Sequence, residues 1–299
     1  MLVLVYGAKG WIGTQFKEIL EKEGVEHVLA SARADNYEAL KTEILNVKPT
    51  HVVSLIGRTH GTIGDKNYTT IDYLEQEGKL FDNVRDNLYS PLLLCMLCKE
   101  QNVHYTYLGT GCIFKFDETH PFGEEENGFT ENAEPNFFGS SYSIVKGFTD
   151  KLMHMFDSNV LNLRIRMPIT SSRNPRNFIT KITTYANVCS VPNSMSVLDE
   201  LLPYALELMR KNHTGTLNFT NPGLISHNEM LEMYRDIVDP SFTWNNFSLE
   251  EQRKILAADR SNNYLDTTQL EALFPKMDNI KDSVRKCMER MRDNYNKVE

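Results

Sequence analysis

The sequence predicts an α/β fold, a doubly wound parallel sheet followed by a smaller, mostly helical lobe. Two observations in the first half carry this prediction. Short apolar runs alternate with longer amphipathic ones, as strands and helices do in such a sheet. The apolar runs also lack the polar alternation of a half-exposed strand, as expected where helices cover both faces of a sheet. The second half has one further strand-like run and several short helical patterns, which predict the lobe.

The predicted elements follow this alternation along the chain. Strands are expected at residues 2–6, 27–30, 51–56, 104–108, 160–165 and 216–219. Helices are expected at residues 11–23, 37–46, 78–101, 142–156, 198–211, 226–238, 249–257, 266–274 and 280–291. Three late helices carry the spacing of a capping box, formed by Ser226 with Glu229, Ser248 with Glu251, and Thr268 with Glu271.

Composition and charge exclude several classes of protein. The chain has 299 residues, with 32 basic and 40 acidic side chains and a formal net charge of −8. This acidic balance argues against a general binder of nucleic acids or of anionic membranes, which needs a basic face. No apolar run approaches the roughly 20 residues of a membrane span, and the chain opens directly into a strand-like run without a signal peptide. We therefore expect a cytoplasmic protein.

The five cysteines stand at irregular positions, which fits a reducing compartment. Cys95 and Cys98 form a C-x-x-C within an apolar helical run, so we expect buried core thiols rather than a redox or metal site. No cluster of His, Cys, Asp and Glu in the sequence has metal-ligand spacing, and no metal is expected.

A glycine-rich turn follows the first predicted strand. Gly7, Gly10 and Gly13 recur at regular spacing, and glycine lets the backbone approach a pyrophosphate closely. Trp11 and Ile12 open the following helix, whose unpaired N–H groups and dipole favour an anion. The turn is a candidate dinucleotide site because it stands between the first strand and the first helix. A purely structural turn is the alternative.

Residues at the end of the second strand would contact the adenosine ribose of such a cofactor. An acidic residue there suits a free 2′-hydroxyl, and a basic residue suits a 2′-phosphate. Ser31 and Arg33 come first and Asp35 comes later, which favours NADPH over NADH. The alternative is that Arg33 is an ordinary surface arginine.

Tyr142 and Lys146 form a Y-x-x-x-K pattern on a predicted helix, where residues four apart share a face. A lysine in that place is expected to lower the pKa of the tyrosine and make it a proton donor to a carbonyl that receives hydride. The pattern is common by chance, but it follows a strand that ends at Thr110 and Cys112, where open α/β folds bind ligands. Thr110 could bond a substrate oxygen. Cys112 is either a small core residue or a thiolate that takes a proton.

Together these residues resemble an extended short-chain dehydrogenase/reductase that acts on a nucleotide sugar. Longer runs resemble more closely the plant-type nucleotide-rhamnose synthases, which are bifunctional 3,5-epimerases/4-keto-reductases, and a giant-virus counterpart of them. The runs are GWIG at 10–13, TGCIF at 110–114, NPRNFITKI at 174–182, PNSM at 192–195, DELLP at 199–203, NFTNPG at 218–223 and RSNN at 260–263. The resemblance extends from near residue 2 to near residue 285.

The resemblance implies a Rossmann-type domain that binds NADP and a lobe that binds the nucleotide sugar. We expect residues 1–168 and 196–224 in the first and residues 169–195 and 225–299 in the second. The implied substrate is UDP-4-keto-6-deoxyglucose or its dTDP analogue, the cofactor is NADPH, and the product is nucleotide-linked L-rhamnose.

The resemblance also implies roles for individual residues. Lys181 is the family's partner of Cys112, and the pair moves the protons on C3 and C5 of the sugar. We expect Cys112 as base and Lys181 as acid, with the reverse assignment left open. Tyr142 gives a proton to the C4 oxygen, Lys146 holds Tyr142 and the nicotinamide ribose, and Thr110 polarises the carbonyl.

Further residues are expected on the ligands. Arg260, and after it Asn177, would bind the diphosphate. Gly57 and Pro168 would complete the cofactor contacts. The sequence departs from the family at the run that ends at Gly57. The family has N-A-A-G there, whereas residues 54–57 of this chain read S-L-I-G. The bulkier side chains leave only backbone contacts to carry over.

Two other functions stay open. A 4-keto-reductase with a separate epimerase would not need Cys112 and Lys181, and a non-catalytic regulatory subunit would not need Tyr142 and Lys146. We also expect a homodimer, the commonest oligomer, and an upstream 4,6-dehydratase on another chain, because no second dinucleotide fingerprint exists here. A viral chain would work in the host cytoplasm.

Overall fold

The computed structural model describes residues 1–123 and 127–295 and contains one large sheet and two small ones. The strands are β1 Leu2–Tyr6, β2 Glu26–Leu29, β3 His51–Ser54, β4 Gly61–Ile63, β5 Lys66–Tyr68, β6 His104–Thr110, β7 Val160–Ile165, β8 Asn187–Val188, β9 Gly215–Asn218 and β10 Asn245–Asn246. The large sheet has the order β2-β1-β3-β6-β7-β9. The chain therefore winds outward in both directions from β1 and β3, which confirms the predicted doubly wound fold.

The helices lie close to the predicted ranges. They are α1 Trp11–Lys22, α2 Tyr37–Val47, α3 Lys79–Val84, α4 Ser90–Glu100, α5 Ser141–His154, α6 Phe178–Ile182, α7 Leu198–Arg210, α8 His227–Ile237, α9 Leu249–Ile255, α10 Thr268–Leu273 and α11 Ile280–Tyr295. The sequence analysis missed the β4–β5 hairpin, the two-residue strands and α6, because segments this short carry too few residues to show a period.

The inner strands explain why the sheet read as apolar. β1 pairs in parallel with β2 and β3, and β3 pairs in parallel with β6. Every residue of β3 is buried, as are Val3 to Tyr6 of β1. β2 lies at the edge of the sheet and is mostly exposed. Strands covered on both faces lack a polar side, so they show no alternation.

One predicted helix is interrupted by a π-helical turn. Instead of a single helix over 78–101, α3 and α4 are joined by the turn Arg85–Tyr89. The backbone carbonyl of Asn87 in this turn accepts a hydrogen bond from the Thr149 hydroxyl at 2.7 Å. A π turn breaks the regular i→i−4 ladder, and here the altered backbone bonds a side chain of α5. No local pattern predicts such a turn, since its partner is remote in sequence.

The predicted capping boxes are confirmed in two cases out of three. Ser226 and Ser248 each accept a bond from the backbone N–H three residues on and receive the reciprocal Glu contact. The third prediction is wrong, because Thr268 is already helical and Thr267 holds the N-cap position. Glu271 instead accepts a bond from the Thr267 hydroxyl at 2.5 Å.

The contacts divide the chain into two compact units. The first unit comprises Met1–Ile113, Phe138–Arg164 and Leu202–Leu217. The second comprises Phe114–Phe137, Ile165–Leu201 and Asn218–Glu299, of which residues 124–126 and 296–299 lie outside the described residues. The predicted domain boundaries, which assign residues 225–299 to the lobe, stay a prediction.

Each unit has its own apolar core. The core of the first unit includes Leu4, Val52 and the buried thiols Cys95 and Cys98. Burial raises the pKa of both thiols, so these cysteines are core residues as predicted. The second unit packs α6, α8 and α11 around Met230. In the described ranges, 1–123 and 127–295, no helix has the length and apolar character to cross a membrane.

Candidate active site

The glycine turn after β1 is shaped by close backbone contacts. Gly7 has a φ of +81°, and a Cβ on it would lie 2.9 Å from the carbonyl carbon of Leu55, just after β3. A Cβ on Gly13 would lie 2.1 Å from the carbonyl oxygen of Gly7. Only glycine fits at either position. The turn therefore lies at the point where the strand order reverses between β1 and β3, which is where open α/β sheets bind ligands.

The first turn of α1 offers backbone N–H groups to an anion. Gly10 is the N-cap residue and supplies no side-chain cap. The N–H groups of Trp11, Ile12 and Gly13 have no partner within the helix, as at every helix start. A cradle without side chains, next to N–H donors and the positive end of a helix dipole, suits a pyrophosphate. The residues present therefore fit a dinucleotide cofactor.

Carboxylates engage both predicted ribose-reading residues after β2. The backbone N–H and the hydroxyl of Ser31 each donate to Glu43 of α2 at 2.7 Å. Arg33 donates two hydrogen bonds to Asp35, at 3.0 and 2.8 Å, and its side chain is 72% exposed. A second guanidinium, that of Arg85, comes within 3.7 Å of the same carboxylate. Contact of Ser31 and Arg33 with the cofactor stays a prediction.

Three predicted catalytic residues lie together at the carboxyl end of β6. Thr110 Oγ1 accepts a hydrogen bond from the backbone N–H of Cys112 at 3.1 Å, and the Thr110 side chain lies close enough to the Tyr142 hydroxyl to oppose the rise of its pKa. Cys112 is half-buried and packs against the small apolar cluster of Tyr73, Leu74 and Tyr142. A thiol, a hydroxyl and a phenol thus share one wall, which we call the catalytic wall.

The helix that carries the Y-x-x-x-K pattern is anchored to this wall near its start and to the π-helical turn farther along. Ser140 caps α5 by accepting a bond from the Ser143 N–H at 3.0 Å. The Ser143 hydroxyl donates to the backbone carbonyl of Cys112 at 2.7 Å. Farther along, the bond from Thr149 to Asn87 ties α5 to the π-helical turn. These contacts hold α5 in one register against the end of β6.

The pKa of Tyr142 is raised above its usual value, which is opposite to the predicted direction. Burial is the largest cause, negative charge on Cys112 adds to it, and the nearby Thr110 side chain opposes it. The predicted lowering by Lys146 is not found, and the Lys146 ammonium donates to the hydroxyl of Tyr107. At neutral pH Tyr142 is therefore protonated, which is the form that a proton donor needs.

Lys146 is only 4% exposed. Burial lowers its pKa to about 8, while negative charge on Asp150 and Cys112 opposes part of that shift. Burial alone would raise the pKa of Asp150, but two hydrogen bonds from Arg164, at 2.9 and 2.6 Å, hold that pKa well below its usual value. The lysine behind the catalytic wall thus faces one carboxylate that stays ionised.

In the second unit, three basic side chains converge around α6. The pKa of Lys181 is lowered to about 8 by burial and by the positive charges of Arg176 and Arg260. A lysine with that pKa exchanges protons near neutral pH, as an acid–base group must. Like charges gathered in a half-buried place suit an anion such as a diphosphate. Lys181 and Arg260 were predicted from the sequence, whereas Arg176 was not, because nothing in the spacing of the 174–182 run distinguishes it.

Asn177 is fully buried and holds the segment before α6. Its side-chain oxygen caps the helix by accepting a bond from the Ile179 N–H at 3.2 Å. Its amide group donates to the carbonyls of Thr170 and Ser172 at 2.7 and 2.8 Å. These bonds position the basic residues on either side of Asn177. Direct contact of Asn177 with substrate stays a prediction.

A buried arginine fixes the run that begins at Arg260. Arg166 is 1% exposed, and its guanidinium donates to the carbonyls of Ser261 and Asn263 at 2.8 and 3.0 Å. It also donates to the side chain of Asn193 at 2.7 Å. The RSNN and PNSM runs therefore meet in one polar core that holds the backbone of Arg260. Only Arg260 of the RSNN run is predicted to contact a ligand, and its neighbours Ser261 and Asn263 belong to this scaffold.

The last two predicted cofactor residues lie in loops. Gly57 is exposed and precedes Arg58, whose backbone N–H and carbonyl both bond the Asn87 side chain at 2.9 Å. The carbonyl of Pro168 accepts a bond from the Phe178 N–H at 3.0 Å. Their contacts with a cofactor stay predictions.

Comparisons with known proteins find relatives that match this chain over nearly its whole length. No protein-family model matches it. The chain is 55% identical over 289 residues to the L780 protein of Acanthamoeba polyphaga mimivirus, a match that covers 97% of this chain and 98% of that protein. The crystal structure of the L780 UDP-rhamnose synthase matches with a TM-score of 0.93 at 54% identity, covering 97% of this chain and 99% of that one. The chain belongs to the UDP-rhamnose synthase family.

Plant relatives of the family share the same stretch. The bifunctional dTDP-4-dehydrorhamnose 3,5-epimerase/dTDP-4-dehydrorhamnose reductase of Arabidopsis thaliana is 45% identical over 284 residues, covering 95% of this chain and 91% of that protein. The Arabidopsis trifunctional protein RHM2, which adds a UDP-glucose 4,6-dehydratase, is 44% identical over 284 residues, covering 95% of this chain but 41% of that protein. The predicted resemblance to the plant and viral synthases is confirmed.

Proposed function

We propose that the chain is a bifunctional 3,5-epimerase and NADPH-dependent 4-keto-reductase that converts UDP-4-keto-6-deoxy-D-glucose to UDP-L-rhamnose. The observation that carries the proposal is the catalytic wall, in which Thr110, the Cys112 thiol and the Tyr142 phenol lie together at the end of β6. The family of the chain supports the same reaction. UDP rather than dTDP is chosen because the L780 relative is a UDP-rhamnose synthase.

The epimerisation uses groups that move protons bound to carbon. A C4 ketone acidifies the protons on C3 and C5, and inversion needs a base on one face and an acid on the other. We assign the base to Cys112 and the acid to Lys181. The lowered pKa of Lys181, about 8, supports an acid that can release its proton near neutral pH.

The reduction uses the phenol of the same wall. When bound, the cofactor supplies hydride for C4. Tyr142 gives its proton to the C4 oxygen, and the raised pKa keeps that proton in place until negative charge develops there. Thr110 bonds the same oxygen. Because the enolate and the alkoxide both put negative charge on that oxygen, one set of donors serves both steps.

The cofactor assignment depends on the glycine turn and on Arg33. The turn accepts a pyrophosphate and does not distinguish NADPH from NADH. The distinction comes from Arg33 and Arg85, two guanidinium groups close to Asp35, because a 2′-phosphate bonds arginine strongly.

The diphosphate of the sugar nucleotide is assigned to Arg176 and Arg260. Both guanidinium groups lie close enough to Lys181 to lower its pKa, so they concentrate positive charge in one place. Arg260 is held by the scaffold that Arg166 builds, and Arg176 by the cap that Asn177 forms.

We include a homodimer in the proposal because α3 and α5 pack together and leave large apolar side chains exposed. The exposed fractions are 72% for Phe81, 57% for Leu80 and 58% for Phe148. Exposed apolar patches mark interaction surfaces, and twofold dimers are the commonest oligomers. Light scattering on the wild type and on Phe81→Asp would test this, with a dimer expected for the first and a monomer for the second.

Two further parts of the proposal concern context. We propose that a 4,6-dehydratase supplies the substrate, since the trifunctional plant protein joins that activity to the part that this chain matches. We also propose a cytoplasmic location, supported by five cysteines that are all free thiols.

The experiment that tests the function uses purified protein with UDP-4-keto-6-deoxyglucose and NADPH. We expect oxidation of NADPH and a product that NMR identifies as UDP-L-rhamnose. A reductase without epimerase activity would give no deuterium at C3 or C5 in deuterated water. A binding subunit would leave NADPH unoxidised.

A further inference from the structure

The hydroxyl of Tyr107 lies against the ammonium of Lys146. Tyr107 stands on β6 and is 1% exposed, and Lys146 stands on α5 and is 4% exposed. The Lys146 Nζ donates a hydrogen bond to the Tyr107 hydroxyl and lies 4.7 Å from the centre of its ring. This contact joins a sheet strand to the helix of the Y-x-x-x-K pattern.

The other charged groups around Lys146 are already committed. Asp150, one turn farther along α5, is bonded twice by Arg164 of β7. Cys112, after β6, acts on Lys146 only through charge. Across residues 1–123 and 127–295, the Tyr107 hydroxyl is the one hydrogen-bond acceptor that the Lys146 ammonium has. A buried ammonium depends strongly on such a partner, because it has lost its water.

An ammonium has three N–H donors, and Tyr107 fixes one of them. The ammonium can then rotate only about this hydrogen bond, which restricts the directions of its two remaining N–H donors. Since β6 lies inside the sheet, the acceptor is on a rigid element. The bond also stabilises the charged form of Lys146, which burial disfavours.

We propose that Tyr107 is a positioning residue for the reduction, whose hydroxyl holds the charged ammonium of Lys146 in the place from which it serves Tyr142 and the cofactor. The inference rests on the proposed function. It concerns the reduction alone, since the carbon-bound protons are assigned to Cys112 and Lys181.

The test is the pH profile of Tyr107→Phe. The variant keeps the ring and removes the acceptor, so the Lys146 ammonium loses its proton more easily. We expect the alkaline limb of kcat/KM for reduction to move to lower pH by about one unit, an activity loss of about tenfold above the limb. Deuterium exchange at C3 and C5, measured at pH 6.5 where Lys146 stays charged, should remain near the wild-type rate.

A matched control is Tyr105→Phe. Tyr105 lies two residues earlier on the same face of β6, is equally buried, and belongs to the same core cluster. Tyr105→Phe also removes one buried hydroxyl, but it should leave the alkaline limb of kcat/KM in place. Tyr107→Gln, which keeps a hydrogen-bond acceptor, should bring the limb back toward the wild-type position. Calorimetric titration of each variant with NADP⁺ gives a readout apart from turnover, with weaker binding expected for Tyr107→Phe alone.

The possible outcomes distinguish a failure of the proposed function from a failure of the inference about Tyr107. A wild type that does not reduce the keto sugar would overturn the proposed function. An active wild type whose alkaline limb and NADP⁺ affinity are unchanged in Tyr107→Phe would overturn the inference about Tyr107. Equal shifts in Tyr107→Phe and Tyr105→Phe would do so as well, because they would report general loosening of the core.

Discussion

The catalytic wall of the first unit and the basic cluster of the second unit solve different problems. In the wall, Thr110, Cys112 and Tyr142 are held by short bonds at the end of a strand and the start of a helix. In the cluster, Arg176, Lys181 and Arg260 gather like charge on loops and on a five-residue helix. A proton donor must point at its acceptor, so its orientation has to be fixed. A charge attracts an anion mainly according to the distance between them, so its orientation matters less. The first region therefore depends on regular elements and the second on local scaffold.

The largest effect is expected from removal of the Tyr142 hydroxyl. Tyr142→Phe keeps the packed ring and loses the proton donor, so reduction should fall by about 10²–10⁴-fold. Exchange of the carbon-bound protons should continue, because the thiol remains. The rates are read from NADPH absorbance and from deuterium content of the sugar. Simultaneous loss of both activities would contradict the division of labour within the wall.

A smaller effect is expected from the basic cluster. Arg176→Ala removes one cation beside Lys181 and should raise the KM for the nucleotide sugar by about tenfold or more, with a smaller change in kcat. It should also raise the pKa of Lys181, because a like charge is gone. Arg253→Ala is the control, since its side chain is 68% exposed and pairs with Asp259. Equal KM values for the two variants would show that Arg176 does not bind the substrate.

A third effect concerns the choice of cofactor. Arg33→Ala should weaken the binding of NADPH by about tenfold and leave the binding of NADH nearly unchanged, because only NADPH carries the 2′-phosphate. Binding of 2′,5′-ADP and of AMP, measured by calorimetry, isolates that phosphate from the rest of the cofactor. Arg210→Ala, an exposed arginine paired with Glu23, serves as the control. An equal loss of affinity for 2′,5′-ADP and AMP would show that Arg33 does not bind the 2′-phosphate.

The smallest effect is expected on stability. His51 and His104 are buried with their rings 4.9 Å apart, and burial lowers the pKa of both. The unfolded chain then binds more protons, so the stability present above about pH 6.5 is lost as the pH falls below it. His104→Gln should reduce this loss, on the order of 1 kcal/mol, in urea unfolding at pH 7.5 and 5.5. The same substitution at the less buried His27 should not.

Much of the fold was predictable because its signals are local. The glycine turn, the strand before it and the Y-x-x-x-K helix each lie within a few neighbouring residues, and the structure has them where the sequence put them. The π-helical turn was not predictable, since its bonding partner Thr149 lies far along the chain. Tyr107 looked like an ordinary strand residue, because nothing local shows which hydroxyl will meet a lysine of another element. The predicted direction of the Tyr142 pKa was wrong because burial, the largest cause of the shift, depends on elements that are remote in the sequence.

The central claim is that one chain both inverts and reduces the sugar, and it is tested most directly with Cys112→Ala in deuterated water. The wild type should place deuterium at C3 and C5 of the sugar. The variant should lose that exchange, because a methyl group accepts no proton, while its fold and cofactor binding persist. General acid–base groups contribute about 10²–10⁴-fold, so NMR or mass spectrometry will show the loss clearly. A Cys112→Ala enzyme that exchanges both positions at the wild-type rate would contradict the claim and make Cys112 a packing residue.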